Sequence, residues 1–88
     1  MNLRITDKGS NYIRLNVGRW DIPARIQTEL LLAILEILYT KGSLARDVLE
    51  DELIGEFQPS GDYYTKLKNQ FDEVVEYLVK VSFLEVTE

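Results

Sequence analysis

Neither cysteine nor histidine occurs among the 88 residues of this chain. Without cysteine there is no disulfide framework, no thiolate nucleophile and no thiolate metal site. Without histidine the usual general base at neutral pH is missing, as are the commonest zinc ligand and every His-dependent catalytic triad. Proline occurs only twice, and no segment is repetitive or of low complexity, so the composition is that of a folded domain rather than a linker. The longest apolar run, residues 30–35, falls far short of the roughly 20 residues that span a bilayer. The N-terminus shows no basic segment followed by an apolar core. The sequence therefore predicts no signal peptide, no membrane association and a cytoplasmic location.

What is present fits one domain of modest stability, because a chain of this length buries only about 60–65 % of its unfolded surface. The net charge of −5 hides an asymmetry. Residues 1–46 hold seven Lys/Arg and four Asp/Glu, a balance of +3; residues 47–88 hold three and eleven, a balance of −8. The two halves offer different electrostatic surfaces to a partner.

The chain opens with two alternating runs. Leu3 and Ile5 alternate with Arg4 and Thr6, and Ile13, Leu15 and Val17 alternate with Tyr12, Arg14 and Asn16. A period of two places each aliphatic set on one face of a strand, and the intervening Asp7-Lys8-Gly9-Ser10 suits a turn. The pattern predicts a β-hairpin over residues 1–18, with Arg4 and Arg14 on its polar face. Asp21 and Pro23 then suit the start of a helix over 23–41, which Gly42 ends. Ser43 is placed to cap a second helix over 44–56, with Leu44, Val48, Leu49 and Leu53 on its apolar stripe. After the loop Gln58-Pro59-Ser60-Gly61, a third helix over 61–81 carries Tyr64, Leu67, Phe71, Val74, Val75 and Leu78 at spacings of three and four. Residues 83–87 read as a short strand.

This order of elements, with `YTKGS`, `LARDVLEDEL` and `YLVKVSFLEV` at its joints, resembles the winged helix-turn-helix domain over residues 26–87. The resemblance implies a winged-helix-like α+β fold. In that family the wing strand returns after the third helix through a segment similar to `LRITDKG`, which here stands at the other end of the chain. Pairing of residues 84–87 with Leu3 to Thr6 would give an antiparallel sheet of three strands with the hairpin; the alternation equally allows the hairpin to pair with its twin in a dimer or to stand apart as a flap.

The resemblance also implies binding of double-stranded DNA, with the third helix in the major groove. Candidate contacts are Tyr63, Lys66, Asn69 and Gln70 on that helix, Ser43 and Arg46 near the turn, and Arg4, Lys8 and Arg14 on the hairpin. The acidic balance after residue 46 opposes this reading, because affinity for DNA comes mainly from phosphate neutralisation. A second reading is a protein-interaction module that leaves DNA alone. The first predicted helix is apolar around most of its girth, which points to a homodimer or a groove for a protein partner through Leu31, Leu35, Tyr39 and Trp20. Trp20 either plugs the sheet onto that helix or anchors a partner. The sequence predicts no catalytic residue, metal or cofactor: Asp47, Glu50 and Asp51 lack a calcium-loop pattern, and the five glycines are scattered as turn and cap residues.

Overall fold

A computed structural model describes residues 2–15, 23, 24 and 26–87. The chain runs β1 (Asn2–Ile5), α1 (Asp7–Leu15), α2 (Thr28–Lys41), β2 (Ser43–Ala45), α3 (Arg46–Phe57), α4 (Asp62–Lys80) and β3 (Leu84–Thr87). The fold is α+β and compatible with a winged-helix-like arrangement. Its antiparallel sheet has the order β2-β1-β3, so the first strand of the chain lies between the two later ones.

The register follows from the apolar alternation. Ile5 stands opposite Leu84, and Leu3 lies opposite Val86 on one side and Leu44 on the other. This aliphatic set faces the helices, while Arg4, Glu85 and Ser43 share the outer face. The expected pairing of the two chain ends is thus present. Asn2 faces Thr87 where a wing would turn.

The second arm of the expected hairpin is a helix, α1, and the third strand of the sheet is β2 instead. Thr6 starts α1 by accepting a hydrogen bond from the Gly9 amide at 3.1 Å, with Asp7 favourably placed in the first turn. A strand would put Ile13 and Leu15 on one face. In the helix they lie about 200° apart, and Leu15 is 61 % exposed while Tyr12 and Gly9 are buried. Residues 16–18 of the expected hairpin, together with Asp21 and Trp20, lie outside the described residues. Pro23 and Ile26 form a turn closed by the Ile26 amide on the Pro23 carbonyl at 3.0 Å, and helix α2 starts at Thr28, later than expected. Ser43, expected as a helix cap, lies in β2 because Gly42 at φ 87° turns the chain back along β1.

Helix α2 is central. It packs against α1, α3, α4, β1 and β2, and Leu30, Leu31, Ile34, Leu35 and Leu38 are almost wholly excluded from solvent. Its wide apolar girth is therefore met within one copy of the chain. Leu49 and Leu53 of α3 and Leu67, Phe71, Val74, Val75 and Leu78 of α4 complete the core. Val48 and Tyr64, both assigned to apolar stripes by spacing, are 42 % and 39 % exposed.

Gly9 ties α1 to the end of α4. A Cβ at this position would collide with the Phe83 carbonyl and come within 2.9 Å of Ile5 Cγ1. In an open helix Gly→Ala stabilises by about 1 kcal/mol. Here Gly9→Ala is expected to lower stability by about 1–3 kcal/mol, as overpacking does, read as a reduced urea midpoint at unchanged m-value. A gain in stability would show that α1 does not approach Phe83.

Candidate functional site

The surface that the sequence points to lies on α4. Its first turn projects past the core, so side chains in apolar phase emerge into solvent: Tyr63 is 43 % exposed, and Tyr64 stands beside it. Tyr63, Lys66 and Gln70 follow one another at three and four residues, with Asn69 adjacent, and so form one stripe. Lys66 and Asn69 are exposed, whereas Gln70 is half-buried, its Oε1 enclosed without a hydrogen-bond partner. Lys68 places its ammonium 5.4 Å from the Tyr64 ring centroid and 3.9 Å from Glu50. Tyr64 and Lys68 thus join the surface although apolar spacing alone places Tyr64 inside.

Charge divides along the helix. Residues 62–71 hold one Asp against two Lys, a balance of +1, and residues 72–80 hold Asp72, Glu73 and Glu76 against Lys80, a balance of −2. Helix α3 adds Asp47, Glu50, Asp51, Glu52 and Glu56 against Arg46 alone. The start of α4 is therefore a small aromatic and basic tip on a largely acidic pair of helices.

The other expected basic contacts lie elsewhere, and three of them, Arg46, Arg4 and Lys8, are occupied. Arg46 forms an ion pair with Asp72 and lies 5.7 Å from the Phe71 ring centroid, so it ties α3 to α4. Arg4 pairs with Glu85 across the β1–β3 ladder. Lys8 donates to the Val81 carbonyl at 2.9 Å and lies 5.5 Å from the Phe83 ring centroid, where a cation suits the last turn of α4. Fifteen residues of helical rise separate Lys66 from Val81, about 22 Å. Lys8 and the tip are thus not one surface. Arg14 is exposed in the last turn of α1.

Of the expected protein contacts, Leu31 and Leu35 are core residues at 0 % exposure, which removes them from any surface of the folded chain. Tyr39 is 47 % exposed near the end of α2. Two shallow clefts adjoin Arg46. One, about 340 Å³, is lined by Ala45, Asp47, Glu50 and Phe71; the other, about 310 Å³, by Leu3, Val75, Glu76, Val79, Lys80 and Val86. Among the described residues the core contains no polar or charged side chain, and no three carboxylates converge as metal ligands do. No described helix is long and apolar enough to cross a membrane.

Comparison with protein-family models, with curated proteins and with solved structures gave no match.

The pairing of Lys8 has a measurable consequence. Lys8→Met keeps the aliphatic stem but removes the charge at the end of α4, and is expected to cost about 0.3–1 kcal/mol, seen as a Tm a few degrees lower. An unchanged Tm would mean that the Val81 contact contributes nothing.

Proposed function

We propose that this chain is a small non-catalytic nucleic-acid-associated regulator of winged-helix type, whose contact surface is the first half of α4. One observation carries the reading: Tyr63, Tyr64, Lys66, Lys68 and Asn69 gather on a helix start that stands clear of the core. Lysines there meet phosphates, asparagine bonds base edges, and tyrosine rings offer stacking or sugar contacts. The helix carrying them is held by a sheet-backed core, which supplies the rigidity that recognition needs. Affinity on this reading is low. Two lysines neutralising two phosphates give a slope of about −1.8 in log K against log salt, a small fraction of what a basic DNA-binding domain shows.

A second reading is favoured by the internal pairing of Arg4, Lys8 and Arg46. With those charges satisfied at home, little basic surface is left for nucleic acid. The tyrosine-rich tip then serves as an anchor for a protein partner, since exposed tyrosines are favoured hot-spot residues.

Fluorescence anisotropy of a labelled random-sequence duplex, titrated at low and at higher salt, separates the two. On the first reading association is present at low salt and weakens as salt rises, and Lys66→Glu abolishes it with helical content unchanged. Absence of association at low salt overturns that reading in favour of a protein partner. Association unaffected by Lys66→Glu removes α4 from the contact.

A further inference from the structure

Among the described residues, the outer edge of β3 is a row of hydrogen-bonding groups on which no other strand is paired. Thr6 donates its amide to the Phe83 carbonyl at 3.0 Å, a one-sided bond because the Phe83 amide goes to the Leu78 carbonyl, and this bond sets the phase of the antiparallel ladder. Hydrogen-bonded pairs alternate along such a ladder, so Glu85 and Thr87 point their N–H and C=O groups at β1, opposite Arg4 and Asn2. Leu84 and Val86 point theirs away from the sheet. Neither residue has a backbone hydrogen-bond partner beyond the ladder among the described residues.

Folded proteins usually shield such an edge with proline, lysine, a bulge or a covering element. The strand `LEVT` contains no proline, lysine or bulge, and no described strand pairs with its outer edge. Its one charge, Glu85, is neutralised by Arg4 on its own sheet. Val86 is 48 % exposed on the helix-facing side, overhanging the 310 Å³ cleft lined by Leu3, Val75 and Val79. The opposite edge, β2, is three residues long and leads directly into α3.

We infer that β3 pairs antiparallel with β3 of a second copy about a twofold axis through Val86, joining the two sheets into one of six strands. The strand is self-complementary in this register. Residues that face each other across an antiparallel pair share a face of the sheet, so Val86 lies opposite Val86 of the partner copy and Glu85 opposite Thr87. No carboxylate opposes another directly. The outward groups of Val86 form the central hydrogen-bonded pair, and the two valines cover each other beside the two clefts. A strand carrying an acidic residue in place of Thr87 would meet Glu85 head-on, which is why a second copy suits this edge better than an arbitrary extended peptide. The contact is small beside a standard interface, so the dimer is a weak, concentration-dependent one. The inference does not rest on what the tip of α4 binds.

Sedimentation equilibrium of the full chain over a wide concentration range tests it, alongside amide hydrogen exchange. A monomer–dimer equilibrium is expected, with Val86→Lys raising the dissociation constant by about tenfold or more, because two ammonium groups would then face each other. In the wild type the Val86 amide should gain protection as concentration rises, while those of Glu85 and Thr87, already directed at β1, should not change. The exchange pattern needs no variant to fold. A chain that stays monomeric at every concentration overturns the inference. So does a dimer that Val86→Lys leaves intact, or one in which the Val86 amide exchanges as in the monomer. A monomer whose β3 amides become protected only on adding an unrelated extended peptide overturns the second copy as occupant.

Discussion

The sheet exists only because β1 lies in its middle. Among the described residues, β2, three residues long, and β3, four residues long, are not paired with each other, and each has β1 as its one neighbour in the sheet. Leu3 is the point where the constraint is felt most: it faces Leu44 on one side and Val86 on the other and is fully buried. The next residues extend the tie. Thr6 bonds the Ser82 and Phe83 carbonyls, Lys8 the Val81 carbonyl, and Gly9 admits the Phe83 backbone against α1. A contact across nearly the whole chain closes a long loop, but loop-closure entropy grows only logarithmically, so a buried leucine and a two-sided ladder suffice to offset it.

Where one physical signal dominated a segment, the elements were readable. Aliphatic alternation marked β1 and β3, and spacings of three and four marked α3 and α4 to within about two residues, because in each case a single face is buried. The pairing of the chain ends is suggested by the winged-helix resemblance, and the two alternations allow it without singling it out. Two features resisted. In residues 12–15 a helical and an alternating pattern coexist, and the helix wins because Thr6 caps it and Tyr12 reaches the core, where its ring meets that of Phe83 with centroids 4.8 Å apart. Strand β2 has too few residues to show a period. It is set by the exit angle at Gly42 and by the free edge of β1, and neither is a local property.

The candidate site was legible in part for a related reason. Sequence supplies charges but not their partners. Arg4, Lys8 and Arg46 look alike in composition, yet the fold gives each a carboxylate or a carbonyl at home, while Lys66 at the tip has none among the described residues. Helical phase likewise states a direction, not whether the core extends far enough to use it. Tyr64 has the phase of a core residue and lies beyond the end of the core, as Leu31 and Leu35 have the breadth of an interface and lie inside it.

The geometry of α4 also bears on how two surfaces could coexist. Tyr63 opens the helix and Lys80 closes it, a separation of about 25 Å along the axis. The aromatic tip lies at the first end, and the turn into β3 follows the second. Pairing through β3 would therefore leave both tips uncovered. This matters because a single tip carries so little charge. Two copies held by one sheet present two tips at fixed separation, and the second contact is made at the effective concentration set by the first, so overall affinity can rise by orders of magnitude with no new side chain. An acidic chain that touches nucleic acid through two lysines per copy would need such multiplication. A chain that docks a protein through two tyrosines would not, since desolvated aromatic anchors can hold a partner without charge. The low basic content of α4 thus couples the two questions: weak single-tip binding makes sense for nucleic acid chiefly when the edge of β3 is in use.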